Sequence, residues 1–153
     1  GIVTFLQDKE KLNFAEVNSV LNKKSGFLGI FGKSSDARDI ESAAAKNDPK
    51  AILALKMFEY KVLKYIGSYT AAMNGVDMIV FTGGIGENDP NIREEVAKNL
   101  EFMGMKFNKK ANDGVRGKDV ILTKPDSKVI MATISTNEEL VIARDTMLLT
   151  KKL

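Results

Sequence analysis

Apolar positions follow helical spacing over roughly the first half of this chain and form strand-like runs after that. The clearest helix begins at Asp48-Pro49, because Asp is a preferred cap and Pro fits the first helical position. Apolar and aromatic side chains then recur every three or four residues as far as Met73, which predicts one long core helix. Shorter helices are predicted over 2–6, after a cap at Asn13, and from the capping residues of 34–39 to about Ala45.

The stretch from Val76 to Asn88 carries the chain's most informative pattern. A nearly continuous apolar run over 76–81 predicts a central strand that is covered on both faces. Gly83, Gly84 and Gly86 predict a sharp turn at the end of that strand, where no Cβ keeps the backbone from a ligand.

Asp89-Pro90 predicts the start of the next helix by the same cap-and-proline signal. Its apolar stripe extends to Met103, and Gly104 is expected to end it. A strand, a glycine turn and a helix start form a common nucleotide or anion site. The spacing fits neither a P-loop, since no Lys follows Gly86, nor a dinucleotide fingerprint, since Asp89 replaces the third glycine. From the residues alone, a turn that merely reverses the chain is equally compatible.

The remaining pattern predicts short strands, a polar loop and a final helix. Together the elements favour an α/β fold, with helices first and then a small, mostly parallel sheet in strand-helix-strand-helix order. The glycine-punctuated apolar segment 25–32 predicts a loop that packs against other residues. The later elements are predicted as strands at 105–107, 120–122 and 128–134, a loop at 108–118, and a helix over 137–149.

The start of the last helix is ambiguous between two capping registers. Thr136 can cap with Glu139 at the third helical position, or Ser135 can cap with Glu138 there. The first register ties Glu139 to the backbone and leaves the Glu138 carboxylate free. The pattern leaves both registers open.

Composition narrows the chemistry without identifying it. The chain has 153 residues, 44% of them hydrophobic and 28% charged, with a net charge of +3, as in an ordinary globular domain. Its basic residues are scattered, so nothing indicates nucleic acid or a membrane as partner. With no Cys there is no disulfide framework, which is compatible with the cytoplasm. With no His, a Ser-His pair or a His-metal site within this chain is excluded.

The segment Phe81–Asn88 closely resembles the adenosine motif of acetate kinases. Three further segments, 21–26, 34–39 and 136–145, resemble stretches of that family in the same order. The resemblance covers essentially the whole chain but only the C-terminal part of such a kinase, and propionate and butyrate kinases share much of it. Because the chain begins at Gly1 inside a predicted helix, we expect it to have been cut from a longer protein.

The resemblance implies a fold, an activity and partners. The fold is part of a ribonuclease H-like domain, as in actin, Hsp70 and sugar kinases, here divided into a helical segment 1–75 and a strand-helix-strand-helix segment 76–153. The activity is ATP + acetate giving ADP + acetyl phosphate with Mg²⁺, in a cytoplasmic homodimer. Propionate or butyrate kinase, or a non-catalytic nucleotide-binding or dimerisation module, are the alternatives. No catalytic residue is expected within this chain, which alone should be inactive.

The resemblance also implies site residues. Glu138 is implied as the acid that associates with Mg²⁺. A single carboxylate is sufficient, because Mg²⁺ keeps most of its waters. Two of the implied nucleotide contacts have structural alternatives, since Asp36 can cap a helix beside a solvated Arg38, and Asn88 can cap the next helix. The implied nucleotide-binding set is Asp36, Ala37, Arg38, Gly84, Ile85, Gly86, Glu87 and Asn88.

Overall fold

Three helices of the first half begin at the side-chain caps that the sequence predicts, Asn13, Asp36 and Asp48. Residues 1–151 are described by a computed structural model, in which the chain divides into one unit over 1–62 and another from 63 onward. Asn13 and Glu16 form a reciprocal capping box, with N···O distances of 3.0 and 2.8 Å. A π-helix covers Val20–Lys24. The first five α-helices are α1 (Ile2–Glu10), α2 (Phe14–Ser19), α3 (Gly26–Phe31), α4 (Ala37–Ala44) and α5 (Pro49–Ala72).

The core of the first unit lies among α3, α4 and the beginning of α5. Its fully buried members are Phe31, Ile40, Ala51 and Ala54. The segment 25–32 therefore packs as predicted, but it is the helix α3 and not a loop. The apolar side chains of α3 gain more from burial on one helical face than its two glycines, Gly26 and Gly29, lose in helix propensity.

The long helix α5 begins where Asp48 and Pro49 predict. The Asp48 carboxylate accepts hydrogen bonds from the Lys50 and Ala51 amides at 3.0 and 3.3 Å. The predicted burial is wrong over its later turns, because Tyr65 and Tyr69 are about three-fifths exposed (60% and 62%). Helical spacing shows that apolar residues share a face, but it does not show that the chain itself covers that face.

The second unit contains a three-stranded sheet of order β1-β3-β2. Its strands are β1 (Met78–Phe81), β2 (Val120–Ile121) and β3 (Ile130–Thr133). β1 runs parallel to β3 and β2 runs antiparallel to it, so the sheet is mixed and the expectation of a mostly parallel sheet is wrong. The reason is that β2 and β3 are joined by a short connection, which only an antiparallel pair allows.

The strand at 78–81 is present, but its predicted place in the middle of the sheet is wrong. β1 lies at an edge, and Met78 and Val80 are 43% and 41% exposed while Phe81 is buried. An apolar run indicates a strand with two faces to cover, and within residues 1–151 only β3 pairs with it. Support for a site at its end therefore has to come from the residues that follow the strand.

The residues after β1 form a helix where a turn was predicted. The second unit has helices α6 (Gly83–Asn88), α7 (Pro90–Lys98), α8 (Lys109–Asn112) and α9 (Glu138–Thr150). Asp89 caps α7 as predicted, accepting from the Asn91 and Ile92 amides at 2.8 and 3.2 Å. α7 is shorter than predicted, because a separate 3₁₀ turn covers Glu101–Met103 before Gly104.

Two further sequence predictions for the second unit need correction. The predicted strand at 105–107 is reduced to a single antiparallel bridge between Phe107 and Thr123, and the predicted loop at 108–118 contains α8. α9 is capped by Asn137, whose Oδ1 accepts from the Leu140 amide at 3.0 Å, so both registers, through Thr136 and through Ser135, are wrong.

None of the helices within residues 1–151 has the length and apolar character that crossing a membrane requires.

Candidate functional site

The carboxyl ends of β1 and β3 lie side by side because the two strands are parallel. Phe81 is opposite Thr133, and the Ile134 amide donates to the Phe81 carbonyl at 3.0 Å. Thr82 and Gly83 leave one strand where Thr136 follows the other. Ligands of open α/β sheets commonly bind at this end of the strands.

A hydrogen-bond cluster around the Thr136 hydroxyl joins these two chain segments. The Gly83 amide donates to Thr136 Oγ1 at 3.0 Å, and the Thr82 hydroxyl lies 2.9 Å from it. Thr136 Oγ1 is also 3.0 Å from Oε1 of the buried Glu87, which accepts from the Thr136 amide at 3.3 Å as well. The start of α6 and the approach to α9 are therefore held together by side chains that the strands place next to each other.

A cleft of about 400 Å³ opens beside this cluster. It brings together three of the predicted site residues, Gly84, Glu87 and Glu138. Ile85, Gly86 and Asn88 belong to the same short helix, but they are not among the residues that line the cleft. Its lining consists of Gly83, Gly84, Glu87, Thr136, Asn137, Glu138 and Glu139.

The three glycines of α6 differ in whether the backbone or the packing requires glycine at that position. Gly83 has φ +70°, a conformation that favours glycine. A Cβ on Gly86 would come 3.3 Å from the carbonyl carbon of Phe81, so Gly86 permits α6 to pack on the end of β1. A Cβ on Gly84 would meet nothing within 4 Å. The fold therefore does not require glycine at 84, and the open space there belongs to the cleft.

Two polar side chains of α6, Glu87 and Asn88, already form hydrogen bonds within the protein. Asn88 donates through Nδ2 to the Gly84 carbonyl at 3.0 Å and does not cap α7. Its backbone carbonyl accepts from Arg116. Glu87 is tied to Thr136, and its own carbonyl accepts from the Gly117 amide at 3.1 Å. A direct contact of Glu87 or Asn88 with a nucleotide remains a prediction.

The sequence analysis did not predict Gly83, Thr136 and Asn137 as site residues, although they line the cleft. It also missed Arg93, which does not line the cleft but holds α6. The Arg93 side chain is fully buried and donates from Nε to Asn112 Oδ1 at 2.8 Å, from Nη1 to the Gly86 carbonyl at 2.9 Å, and from Nη2 to the Val115 carbonyl at 2.7 Å. Burial lowers the pKa of Arg93, and the charge of Asp89 opposes that shift. The guanidinium thus fixes the middle of α6 against the loop that follows α8.

The sequence does contain a signal for Arg93. The buried positions of α7 include Ile92, Val96 and Ala97, and Arg93 stands four residues after the cap Asp89 on the same face. A charged residue within an apolar stripe indicates a buried polar network when suitable acceptors lie nearby. Those acceptors come from residues 86, 112 and 115, and the sequence pattern does not place them beside the helix.

The predicted residues Asp36, Ala37 and Arg38 lie in the first unit, at the start of α4. Asp36 Oδ1 accepts from the Arg38 amide at 2.9 Å and from its Nε at 3.0 Å, while Oδ2 lies 2.6 Å from Nη2. These bonds lower the pKa of Asp36 to about 2. The capping alternative for Asp36 is therefore confirmed, and a nucleotide contact from these residues remains a prediction.

The cleft offers carboxylate oxygens, the ligands that Mg²⁺ prefers. Glu138 and Glu139 occupy the first turn of α9, where neither takes part in the cap. Within residues 1–151 no group of three or more Asp, Glu, His or Cys side chains is arranged to hold a metal ion. The donor set fits a hydrated Mg²⁺ that takes one carboxylate from the protein, and it does not fit a fully protein-ligated metal.

Comparison with known proteins decides the family. Residues 1–144 match the acetokinase family. The chain belongs to the acetokinase family. Among its relatives, the acetate kinase of Phocaeicola vulgatus is 54% identical over 152 residues, which are 99% of this chain and 38% of the relative.

Solved structures of family members have the same fold over this region. The crystal structure of Porphyromonas gingivalis acetate kinase matches with a TM-score of 0.90 at 49% identity, over 97% of this chain and 37% of that one. A propionate kinase from Francisella tularensis matches with a TM-score of 0.81 at 37% identity, over 93% of this chain and 36% of that one. The chain thus spans less than two fifths of the length of these acetokinase relatives.

Proposed function

We propose that this chain is the C-terminal part of an acetate kinase that forms ADP and acetyl phosphate from ATP and acetate. The observation that carries the proposal is the cleft at the carboxyl ends of β1 and β3, in which Gly84 and Glu138 face the same space. Membership of the family supports it independently. In this proposal, residues outside this chain complete a ribonuclease H-like domain. The chain contributes a helical segment, 1–75, and a strand-helix-strand-helix segment, 76–153. The protein is proposed to be cytoplasmic.

In this proposal the residues of the chain bind and orient the nucleotide. Gly84 leaves room for the nucleoside, because no side chain stands between the helix backbone and the cleft. Glu138 would hold a hydrated Mg²⁺, which when bound would neutralise charge on the phosphates during transfer. The predicted nucleotide-binding set also includes Glu87, which we propose acts by holding Thr136. The other proposed nucleotide contacts are Asp36, Ala37, Arg38, Ile85, Gly86 and Asn88.

The activity is tested on the full-length protein. Purified protein is incubated with ATP, Mg²⁺ and acetate, and acetyl phosphate is trapped with hydroxylamine as the hydroxamate. We expect turnover with acetate that depends on Mg²⁺. Absence of turnover with any short carboxylate would contradict the kinase proposal and favour a non-catalytic module.

A propionate kinase is the second candidate, favoured by the match to the Francisella tularensis protein. The same assay with propionate and butyrate separates the candidates through the ratio of kcat/KM values. A single methylene in an apolar pocket changes such a ratio by about 10–200-fold, so the preferred acid is measurable. We propose acetate because acetate kinases are among the relatives that match this chain at more than 50% identity.

Glu138 and Glu139 provide a matched pair for testing the Mg²⁺ role. In the full-length protein, Glu138→Ala should lower kcat and raise the Mg²⁺ concentration needed for half-maximal turnover. Glu139→Ala should change turnover little, and because Asn137 provides the cap it should change stability by less than about 0.5 kcal/mol. A loss of turnover in Glu139→Ala with normal kinetics in Glu138→Ala would reverse the assignment.

We also propose that the protein is a homodimer, as the family resemblance implies. The exposed apolar side chains of α9, including Ile142 and Leu149 at 66% and 70% exposed, provide apolar surface whose burial favours association. Light scattering of the full-length protein at micromolar concentration tests this, and a monomer mass would contradict it.

A further inference from the structure

Thr136 lies between β3 and α9, and its hydroxyl contacts three groups that belong to the segment after β1. It is close to the Gly83 amide, the Thr82 hydroxyl and the Glu87 carboxylate, all within 2.9–3.0 Å. These bonds connect the start of α6 to the residue before the cap of α9, and Gly83, Glu87 and Thr136 also line the cleft.

The donors and acceptors of this cluster can be assigned by elimination. A hydroxyl has one hydrogen to donate and two lone pairs to accept with, and an ionised carboxylate only accepts. Thr136 uses its one hydrogen to donate to Glu87 Oε1. The Gly83 amide then donates to one lone pair of Thr136, and the Thr82 hydroxyl donates to the other. The hydroxyl of Thr136 is fully used, so it has no capacity left for a ligand.

The Glu87 carboxylate forms its hydrogen bonds with the same residue, Thr136. Its Oε1 accepts from both the hydroxyl and the amide of Thr136, at 3.0 and 3.3 Å. The side chain is buried, with 9% exposed, and a buried carboxylate interacts strongly with the donors that surround it. Its position is therefore set by Thr136, and that of Thr136 by Glu87.

We propose that Glu87 and Thr136 form a positioning pair that sets the distance between Gly84 and Glu138, and that Glu87 acts through Thr136 and not by touching the nucleotide. This inference rests on the proposed function and refines it. The helix α9 begins at Glu138, two residues after Thr136. A shift of Thr136 therefore moves the Glu138 carboxylate, which faces the cleft. The pair acts on the nucleotide and Mg²⁺ and leaves the acyl substrate unaffected.

The kinetic test uses substitutions in the full-length protein. Thr136→Val and Glu87→Ala should each raise KM for ATP and the half-saturating Mg²⁺ concentration by about tenfold, the effect of losing a hydrogen bond to a charged group. KM for acetate should not change. Thr136→Ser keeps the hydroxyl and should restore KM for ATP to within about threefold of the unaltered protein. Thr146→Val, which removes a hydroxyl from the exposed side of α9, is the matched control.

The double variant distinguishes a role of Glu87 through Thr136 from a direct contact between Glu87 and the nucleotide. If Glu87 acts through Thr136, then Thr136→Val combined with Glu87→Ala should be no worse than the more impaired single variant. If Glu87 contacts the nucleotide, the two effects on KM for ATP should multiply, and that result would overturn the proposal.

Amide hydrogen exchange provides a readout that does not depend on activity. Thr136→Val and Glu87→Ala should both accelerate exchange of the Gly83 amide by about tenfold. The first removes Thr136 Oγ1, the acceptor of that amide, and the second removes the carboxylate that holds Thr136 in place. The Leu122 amide, which donates to Met131 at 2.7 Å in the sheet, should be unaffected and serves as the reference. Unchanged Gly83 exchange in Glu87→Ala would overturn the positioning pair, whereas an inactive unaltered protein would overturn the proposed function alone.

Discussion

The chain by itself should form no acetyl phosphate from ATP, Mg²⁺ and acetate, while the full-length protein should. The chain spans 38% of the length of the Phocaeicola vulgatus relative and contains no histidine. The family resemblance implies that the phosphate loop, the catalytic histidine and the catalytic arginines lie outside it. A single arginine that neutralises a transferring phosphoryl group contributes about 10³–10⁵ in rate in other systems. Losing several such groups together should reduce turnover below detection.

The hydroxamate assay makes the comparison, with equal molar amounts of the chain and of the full-length protein. A mock purification without the chain measures contaminating kinase. Turnover that exceeds the mock and disappears in the Glu138→Ala form of the chain would show that the chain is catalytic without the remaining residues. That result would contradict the expected division of roles between this chain and the rest of the protein.

Arg93→Met should strongly destabilise the second unit. It leaves three acceptors without their donor, namely Asn112 Oδ1 and the carbonyls of Gly86 and Val115. An unsatisfied buried polar group costs about 1–3 kcal/mol, so we expect a loss of about 3–5 kcal/mol in the free energy of unfolding. Arg93→Lys should not restore it, because one ammonium cannot reproduce the planar fork of the guanidinium.

Urea unfolding of the full-length protein measures the overall loss, and hydrogen exchange of the α7 amides measures it locally. Arg144→Met on the exposed surface of α9 is the matched control and should change stability by less than about 0.5 kcal/mol. Equal, small effects of both arginine substitutions would mean that the network around Arg93 contributes little to the stability of the second unit.

Local signals predicted the starts of elements well. Asp48 and Asp89 cap helices where the sequence places them, because a cap depends only on residues within one turn. The strand at 78–81 was also predictable from its apolar run. Its position at an edge was not, since the place of a strand in a sheet depends on partners elsewhere in the chain.

The helix α6 shows why the site itself was harder to predict. Its sequence contains three glycines in six residues, and intrinsic propensity therefore favours a turn. Tertiary contacts reverse this preference: Gly86 packs on Phe81, Arg93 holds the Gly86 carbonyl, and Glu87 is tied to Thr136. The capping register of α9 failed for a related reason, because Thr136 is occupied by Gly83 and Glu87 and leaves the cap to Asn137.

The open space beside Gly84 gives access for chemical labelling. A Cβ at this position would meet no atom within 4 Å outside its chain neighbours and its own helix backbone, and the chain contains no cysteine. A Gly84→Cys substitution therefore places the chain's one thiol among the residues that line the cleft, without disturbing the packing around it. Alkylation of this thiol by a small reagent would slow when a molecule fills the cleft, whether or not that molecule undergoes a reaction.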